Sequence, residues 1–261
     1  MSIASDKKIK AVLFDLGETL VNFGKVKRLA VFREGARLSY DFLKSKGQPV
    51  GNFEYYCWRN LFSLHICRWL SHLSGKDFDA LRLLSKSGAK NGIKLDEQEW
   101  EHLAWLWYAH LSKAGTVEPD IVETLRALKE MGLKLGIISN TFVHGSSLEK
   151  HLEQFGILEF FEVKLYSYQF EFRKPDVRIF IKAVDKIGER LPNTLFVGDS
   201  VNKDIKPALM LDMPAVLKEA YTNRGKKVPK GAYKINKLSE LPGLIEEINS
   251  GEKNHLSAER K

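Results

Sequence analysis

Beyond Gly115 short apolar runs alternate with amphipathic segments, and this alternation constrains the fold more than any other feature of the chain. Runs at 134–138, 161–166, 194–197, 215–217 and 233–235 have the length and content of strands. Between them, segments at 119–131, 145–155, 176–187, 203–211 and 238–248 carry the periodicity of helices. Continuous apolar runs suit parallel strands buried on both faces, and such strands need helical crossovers. The expected fold class is therefore α/β, a doubly wound, Rossmann-like parallel sheet with helices on both faces. A further apolar run, residues 11–14, stands far upstream and ends at an acid, like a first strand feeding a loop. Ligands of such sheets bind outside the carboxyl ends of the strands.

The stretch between that first strand and the alternating part is different. Apolar residues recur at three and four over 25–46, 52–73, 77–86 and 96–113, broken at 47–51, Ser74-Gly75 and Ser87-Gly88. This is a helical block of about four helices inserted over the expected crevice, so the division predicted is core at 1–22 and 116–250, cap at 23–115 and a polar tail at 251–261. The core is expected to hold together without the cap. All five tryptophans, Trp58, Trp69, Trp100, Trp105 and Trp107, fall in the block, and burial is the expected use of most of them.

Composition excludes several classes. With 44% hydrophobic and 28% charged residues the chain is neither disordered nor fibrous. No apolar run reaches the roughly 18 residues of a membrane span, and the charged opening at 6–10 does not read as a signal peptide, so a cytoplasmic location is expected. Cys57 and Cys67, on one helix about 15 Å apart, are too distant for a disulfide and read as free thiols. The net charge of +8 is concentrated: 218–237 holds seven basic residues against one acid. That segment fits no nucleic-acid-binding motif and reads as a solvated basic loop near a site for anions.

Four polar clusters follow four of the expected strands: Asp15 to Thr19, Ser139-Asn140-Thr141, Arg173 to Asp176, and Gly198-Asp199-Ser200 with Asp204. Each alone is the usual composition of a helix cap. Together they converge, because all carboxyl ends of a parallel sheet lie on one edge. In this order and setting the chain resembles the haloacid dehalogenase superfamily over about residues 10–220, with the helical insertion where that superfamily carries its first type of cap.

The resemblance implies a hydrolase that forms an aspartyl-phosphate on Asp15 and acts on a small phosphorylated metabolite with Mg²⁺. It implies metal ligation by Asp15, Asp199, the backbone carbonyl of Gly17 and, directly or through water, Asp204. Ser139 and the backbone at Asn140 would donate to phosphoryl oxygens, Lys174 would neutralise charge and hold Asp15, and Thr19 would brace the loop. A carboxylate nucleophile splits one hard hydrolysis into two easier steps, and a hard cation relieves its repulsion from phosphate.

The chain departs from the pattern at Gly17, where the superfamily's phosphatases usually place an acid-base aspartate. Loss of such a group costs about 10²–10⁴-fold in rate. Three outcomes stay open: substrates with good leaving groups, an acid supplied by the cap or by Glu18, or binding without turnover. A metal-independent 2-haloacid dehalogenase is a further alternative, weakened by Asp199 and Asp204. Lys25 and Lys27 lie near where phosphonate-cleaving members carry a Schiff-base lysine, yet read as solvated hinge residues. His65, His72, His102 and His110 lack metal-ligand spacing.

Overall fold

The computed structural model describes residues 9–251. The polar tail expected at 251–261 lies outside these apart from Gly251, as does the charged opening before Ile9. Six strands form one parallel sheet in the order β3-β2-β1-β4-β5-β6: β1 Ala11–Phe14, β2 Lys134–Ser139, β3 Val163–Tyr166, β4 Thr194–Gly198, β5 Ala215–Lys218 and β6 Tyr233–Ile235. The register sets Phe14 beside Ile137 of β2 and Val197 of β4, so β1 is central and its last residue is flanked on both sides.

Alternation along β1 assigns the two faces. Val12 and Phe14 point into a cluster with Ile121 and Leu125 of α5 (Ile121–Glu130), Leu148 of α6 (Gly145–Gln154) and Leu244 of α9 (Leu241–Ser250). Ala11 and Leu13 point the other way, onto Ile179, Phe180 and Ala183 of α7 (Val177–Ile187) and Ala208 of α8 (Lys206–Met210). Residues such as Leu13, Phe14 and Phe196 are fully buried, which explains why these strands read as unbroken apolar runs.

The helical block comprises α1 (Arg28–Ser45), α2 (Phe53–Ser74), α3 (Ala80–Lys90) and α4 (Glu97–Ser112). Its boundaries follow local chemistry. Asn52 accepts the N–H of Tyr55 at the start of α2, Gly75 ends it in the left-handed conformation, and Asp96 with Glu99 forms a capping box on α4. The expected break at Ser87-Gly88 does not occur. Helix α3 continues to Lys90 because Gly88 packs beneath Trp100, whose ring would lie 2.3 Å from any Cβ at that position. The glycine serves close approach there, not termination.

Leu43, Tyr56, Ile93 and Leu103 make a small core inside the block, and Ala36, Phe53 and Cys57 a second one. Trp100, Trp105 and Trp107 pack as expected, whereas Trp58 and Trp69 stand 59% and 62% exposed. Nor is the block merely laid on the core. Tyr108 of α4 belongs to the main core cluster, with Trp105 and Leu111 packed against it, and its hydroxyl lies 2.9 Å from His151 Nδ1 of α6. Excision of 23–115 would take Tyr108, Trp105 and Leu111 away from that cluster. The hinge is a pair of bonds, Asn22 N to Thr116 O at 2.7 Å and the reverse at 2.9 Å.

One expected helix is divided. Residues 201–205 form a wide turn in which Ser200 O accepts from both Asp204 N and Ile205 N, and α8 begins only at Lys206. Pro207, which lacks an N–H, fits only the first turn of the helix that follows. Cys57 and Cys67 are free, and no helix among the described residues is long and apolar enough to cross a membrane.

Candidate active site

Asp15 leaves β1 at the carboxyl edge, its N–H donating to Val197 O at 2.9 Å. The chain then folds back, with Leu16 O accepting from Leu20 N and Val21 N. Glu18 takes the left-handed turn in this loop, at φ 61°, and its Oε1 accepts the N–H groups of Phe23 at 3.0 Å and Gly24 at 3.1 Å. That carboxylate is thus committed to the hinge. Gly17 has no such conformational demand, and nothing lies within 4 Å of where its Cβ would be. Neither backbone angle nor crowding requires glycine there.

The other strands deliver their groups in the same direction. Lys174, buried in the loop before α7, places Nζ 2.6 Å from Asp15 Oδ1 and 2.7 Å from Asp204 Oδ1. Asn140 clamps that loop: its Nδ2 donates to Lys174 O at 2.7 Å and its Oδ1 accepts Lys174 N at 2.9 Å. Asp204 is brought in by the wide turn after β4, and its Oδ2 accepts Ser200 N at 2.9 Å. A Cβ on residue 198 would sit 2.6 Å from the Asp204 side chain, so only glycine at 198 lets Asp204 approach the strand end. Asp199 is held through its carbonyl by Asn223 Nδ2 at 2.8 Å and through its carboxylate by the Thr222 hydroxyl.

Oxygens of Asp15, Asp199 and Asp204 lie within 4.8 Å of one another. Burial pushes the Asp15 carboxyl up from its ordinary value; Lys174 opposes the shift and Asp199 adds to it. Asp199 and Asp204 are also pushed up, burial being the main cause in each. Burial by itself pulls the Lys174 ammonium down, yet Asp15 and Asp204 outweigh it and the net shift is up. Among the buried groups three carboxylates face one ammonium, a local excess of negative charge, while Lys203 and Lys226 reach the crevice from its exposed side. Carboxylate oxygens grouped in this way suit a small hard cation, which would relieve that excess.

Of the eight residues expected at the site, Asp15, Gly17, Ser139, Asn140, Lys174, Asp199 and Asp204 line one crevice of about 420 Å³. Thr19 lies buried beneath, its Oγ1 3.5 Å from Asp15 Oδ2. Sequence reasoning missed Thr222 and Asn223, which come from the basic segment after β5, and Phe23 and Tyr108 from the other side. Within that segment Lys218 is not solvated as expected: it is buried and pairs with Glu118 at 3.0 Å. Lys226 does line the crevice, as a loop near an anion site would. Lys25 and Lys27 are exposed, and among the described residues no metal-binding group includes His65, His72, His102 or His110.

The helical block meets the crevice through Tyr108 and Leu111 of α4, and one of its loops bears on the segment that carries Lys174. Asp77 accepts from the Arg173 guanidinium at 2.5 Å and from the Ser167 hydroxyl, and Phe78 stacks on Phe142 at 5.2 Å. Arg173 is the residue before Lys174, so the same backbone carries the contact with the block and the crevice ammonium.

Comparison with known proteins agrees with this geometry. A family model described as haloacid dehalogenase-like hydrolase matches residues 9–212. A glyceraldehyde 3-phosphate phosphatase of Methanocaldococcus jannaschii is 35% identical over 251 residues, covering 92% of this chain and 98% of that protein. Among solved structures, a HAD phosphatase from Thermococcus onnurineus superposes with a TM-score of 0.57 at 22% identity, covering 91% and 98% of the two chains. A 2-haloacid dehalogenase from Pseudomonas syringae pv. Tomato DC3000 gives 0.58 at 21%, covering 92% and 99%. At these identities the two structures speak to the fold alone.

Proposed function

The chain belongs to the haloacid dehalogenase-like hydrolases, and from that premise we propose that it is a Mg²⁺-dependent phosphohydrolase acting on a small phosphorylated metabolite. The observation that carries the reading is the Lys174 ammonium held between Asp15 and Asp204 beside a third carboxylate, Asp199. In this reading residues 1–22 and 116–250 form the catalytic core and 23–115 a cap. The phosphatase relative, similar over nearly the whole chain, supports phosphate over halide as the leaving chemistry. Two free cysteines fit a reducing, cytoplasmic setting.

Asp15 would attack phosphorus with Oδ2, the oxygen not engaged by Lys174, and the ester oxygen would leave with the electron pair of the broken bond. Lys174 fixes the carboxylate and offsets charge on the transferring group, and Ser139 with the backbone N–H at Asn140 donates to phosphoryl oxygens. Asp15, Asp199, Asp204 and the Gly17 carbonyl would hold Mg²⁺, which supplies charge neutralisation between carboxylate and phosphate. Water then cleaves the aspartyl-phosphate and returns Asp15.

Gly17 supplies no proton, and Glu18 is tied to the hinge. The site therefore suits leaving groups that need little protonation, such as acyl or aryl phosphates. The test is a panel of acetyl phosphate, p-nitrophenyl phosphate and sugar phosphates, with and without Mg²⁺, with 2-chloropropionate included. Phosphate release that stops with EDTA and returns with Mg²⁺ is expected. Halide release without metal would move the chain to the dehalogenases, and binding without turnover of any phosphate would make it a silent member.

A further inference from the structure

A second cavity of about 420 Å³ lies between the helical block and the core, and it shares Tyr108, Leu111 and Val143 with the catalytic crevice. Its walls are mostly apolar, Val31 and Phe32 of α1, Leu83 and Leu84 of α3, Trp107 of α4 and Phe142 beyond β2 being among them, with Asn60, Arg68 and His144 as the larger polar members. A substrate whose phosphate sits in the crevice would thus have a largely apolar chamber beside it. Ser147, on the first turn of α6, also lines this chamber, only 1% exposed and with its hydroxyl unpaired. A buried hydroxyl without a partner costs free energy that a ligand atom can restore. Apolar walls with a few placed polar groups are the usual make-up of a small-molecule site.

We propose that the chamber receives the apolar body of the substrate, an alkyl, acyl or aryl group larger than a triose, with the Ser147 hydroxyl bonding one polar atom of it. The proposal rests on the phosphohydrolase reading and names its substrate class: acyl or aryl phosphates with a bulky apolar leaving group. For an acyl phosphate the P–O bond to the carboxyl oxygen breaks, Asp15 gains the phosphoryl group, and the acid leaves as its carboxylate without needing a proton. The absence of an acid at Gly17 and the apolar chamber then serve the same substrate.

Acetyl, butyryl and hexanoyl phosphate have leaving carboxylates of similar basicity and differ only in apolar length. Burial should raise kcat/KM by about two- to fourfold per methylene. Ala104→Phe fills the chamber from α4 and should flatten the series; Ser63→Phe, from α2, serves if the first variant does not fold. Equal kcat/KM for the three substrates in the wild type would overturn the proposal. Calorimetry with ethyl-, butyl- and hexylphosphonate reads the chamber without turnover: affinity rising with length supports it and equal affinity overturns it. Hydrolysis of sugar phosphates but of no acyl or aryl phosphate would overturn the proposal, whereas phosphate release from none of these substrates would overturn the phosphohydrolase reading.

A separate observation concerns the outer face of the block. Tyr55, Trp58, Phe62, Ile66, Trp69, Leu70 and Leu73 of α2 are 42–68% exposed, and at about 100° per residue they fall within an arc of about 120°. Aromatic side chains carry about 150–250 Å² each, so the stripe presents on the order of 700 Å² of apolar surface. A stable interface buries about 800 Å² per partner, and a typical monomer's largest patch is about 300–600 Å². The stripe also reads nearly the same in both directions: a two-fold axis near Leu64 sets Tyr55 against Leu73, Trp58 against Trp69 and Phe62 against Ile66. We infer that α2 packs antiparallel on α2 of a second copy, an isologous dimer.

Light scattering at micromolar concentration should give twice the chain's 29.8 kDa. Trp58→Glu with Trp69→Glu should return a monomer with an unchanged circular dichroism spectrum. A monomeric wild type, a dimer insensitive to these substitutions, or a monomer that binds phosphatidylglycerol vesicles would each overturn the inference.

Discussion

The crevice at the strand ends and the chamber beside it share three lining residues, yet they are built on opposite principles. In the crevice the charged and amide groups are held by several directed bonds: Lys174 by two carboxylates and Asn140, Asp204 by Lys174 and Ser200, Asp199 by Thr222 and Asn223. The chamber is shaped by side chains that only pack, such as Leu83, Leu84 and Trp107. Directed bonds to buried charges tolerate little displacement, whereas apolar walls can be recut one residue at a time with modest cost. The molecule thus separates a fixed chemistry from an adjustable recognition surface, and the contrast can be broken from either side.

The largest effect is expected in the crevice. Asp15→Asn should lower turnover by about 10³-fold or more, since an amide is a poor nucleophile, while Lys174 keeps its partner Asp204 and the fold persists. Steady-state rates and circular dichroism check this, and residual activity above about a tenth of wild type would remove Asp15 from its role.

Next comes Gly17→Asp. The structure gives the new side chain room and asks for no strained backbone, so alkyl phosphate hydrolysis should rise by up to about 10²–10⁴-fold. In the wild type the rate should fall steeply as the leaving group becomes more basic. A flat dependence with chemistry rate-limiting would mean that another group supplies the proton.

The seam between the two regions should give an intermediate effect. Asp77→Ala removes the partner of Arg173 and of the Ser167 hydroxyl, and kcat/KM should fall about tenfold, on the scale set by one charged hydrogen bond. An unchanged kcat/KM would show that the placement of Lys174 in the crevice does not depend on this contact.

The smallest effect is one of stability. Tyr108→Phe deletes the buried bond to His151 and should cost about 1–3 kcal/mol, read as a lowered Tm. Burial also holds the His151 imidazole below its ordinary pKa of 6.5. The unfolded chain therefore takes up a proton that the native state resists, and stability at this seam should fall as the pH drops below about 6.5. Because the raised carboxyls of the crevice act in the opposite direction, the check is the Tm difference between wild type and His151→Phe: a difference unchanged between pH 7 and pH 5 would show that His151 protonates without disturbing the seam.

How legible the molecule was in its sequence varied with the kind of interaction. Strand positions such as Ala11–Phe14 were readable because parallel strands buried on both faces need continuous apolar runs. Asp15, Ser139 and Asp199 were readable because each ends or directly follows a strand and so emerges on one edge, whereas Lys174 and Asp204 lie further along and were marked by the family resemblance. Thr222 and Asn223 were hidden in a segment whose only visible property was its charge. The role of Gly88 under Trp100 was hidden for a similar reason, since a glycine that permits contact and one that ends a helix look alike in one dimension.

What the sequence by itself determined is the set of elements and the edge on which the polar groups gather, because periodicity and strand direction are local properties of the chain. Only the tertiary structure decided how those groups pair and what surrounds them. It turned Glu18 to the hinge, made Asn140 the clamp on Lys174, buried Lys218 against Glu118, drew Tyr108 into the core and left Trp58 and Trp69 outside it. Each of these depends on residues far apart in the chain meeting at distances of a few ångströms, and no local pattern encodes such a meeting.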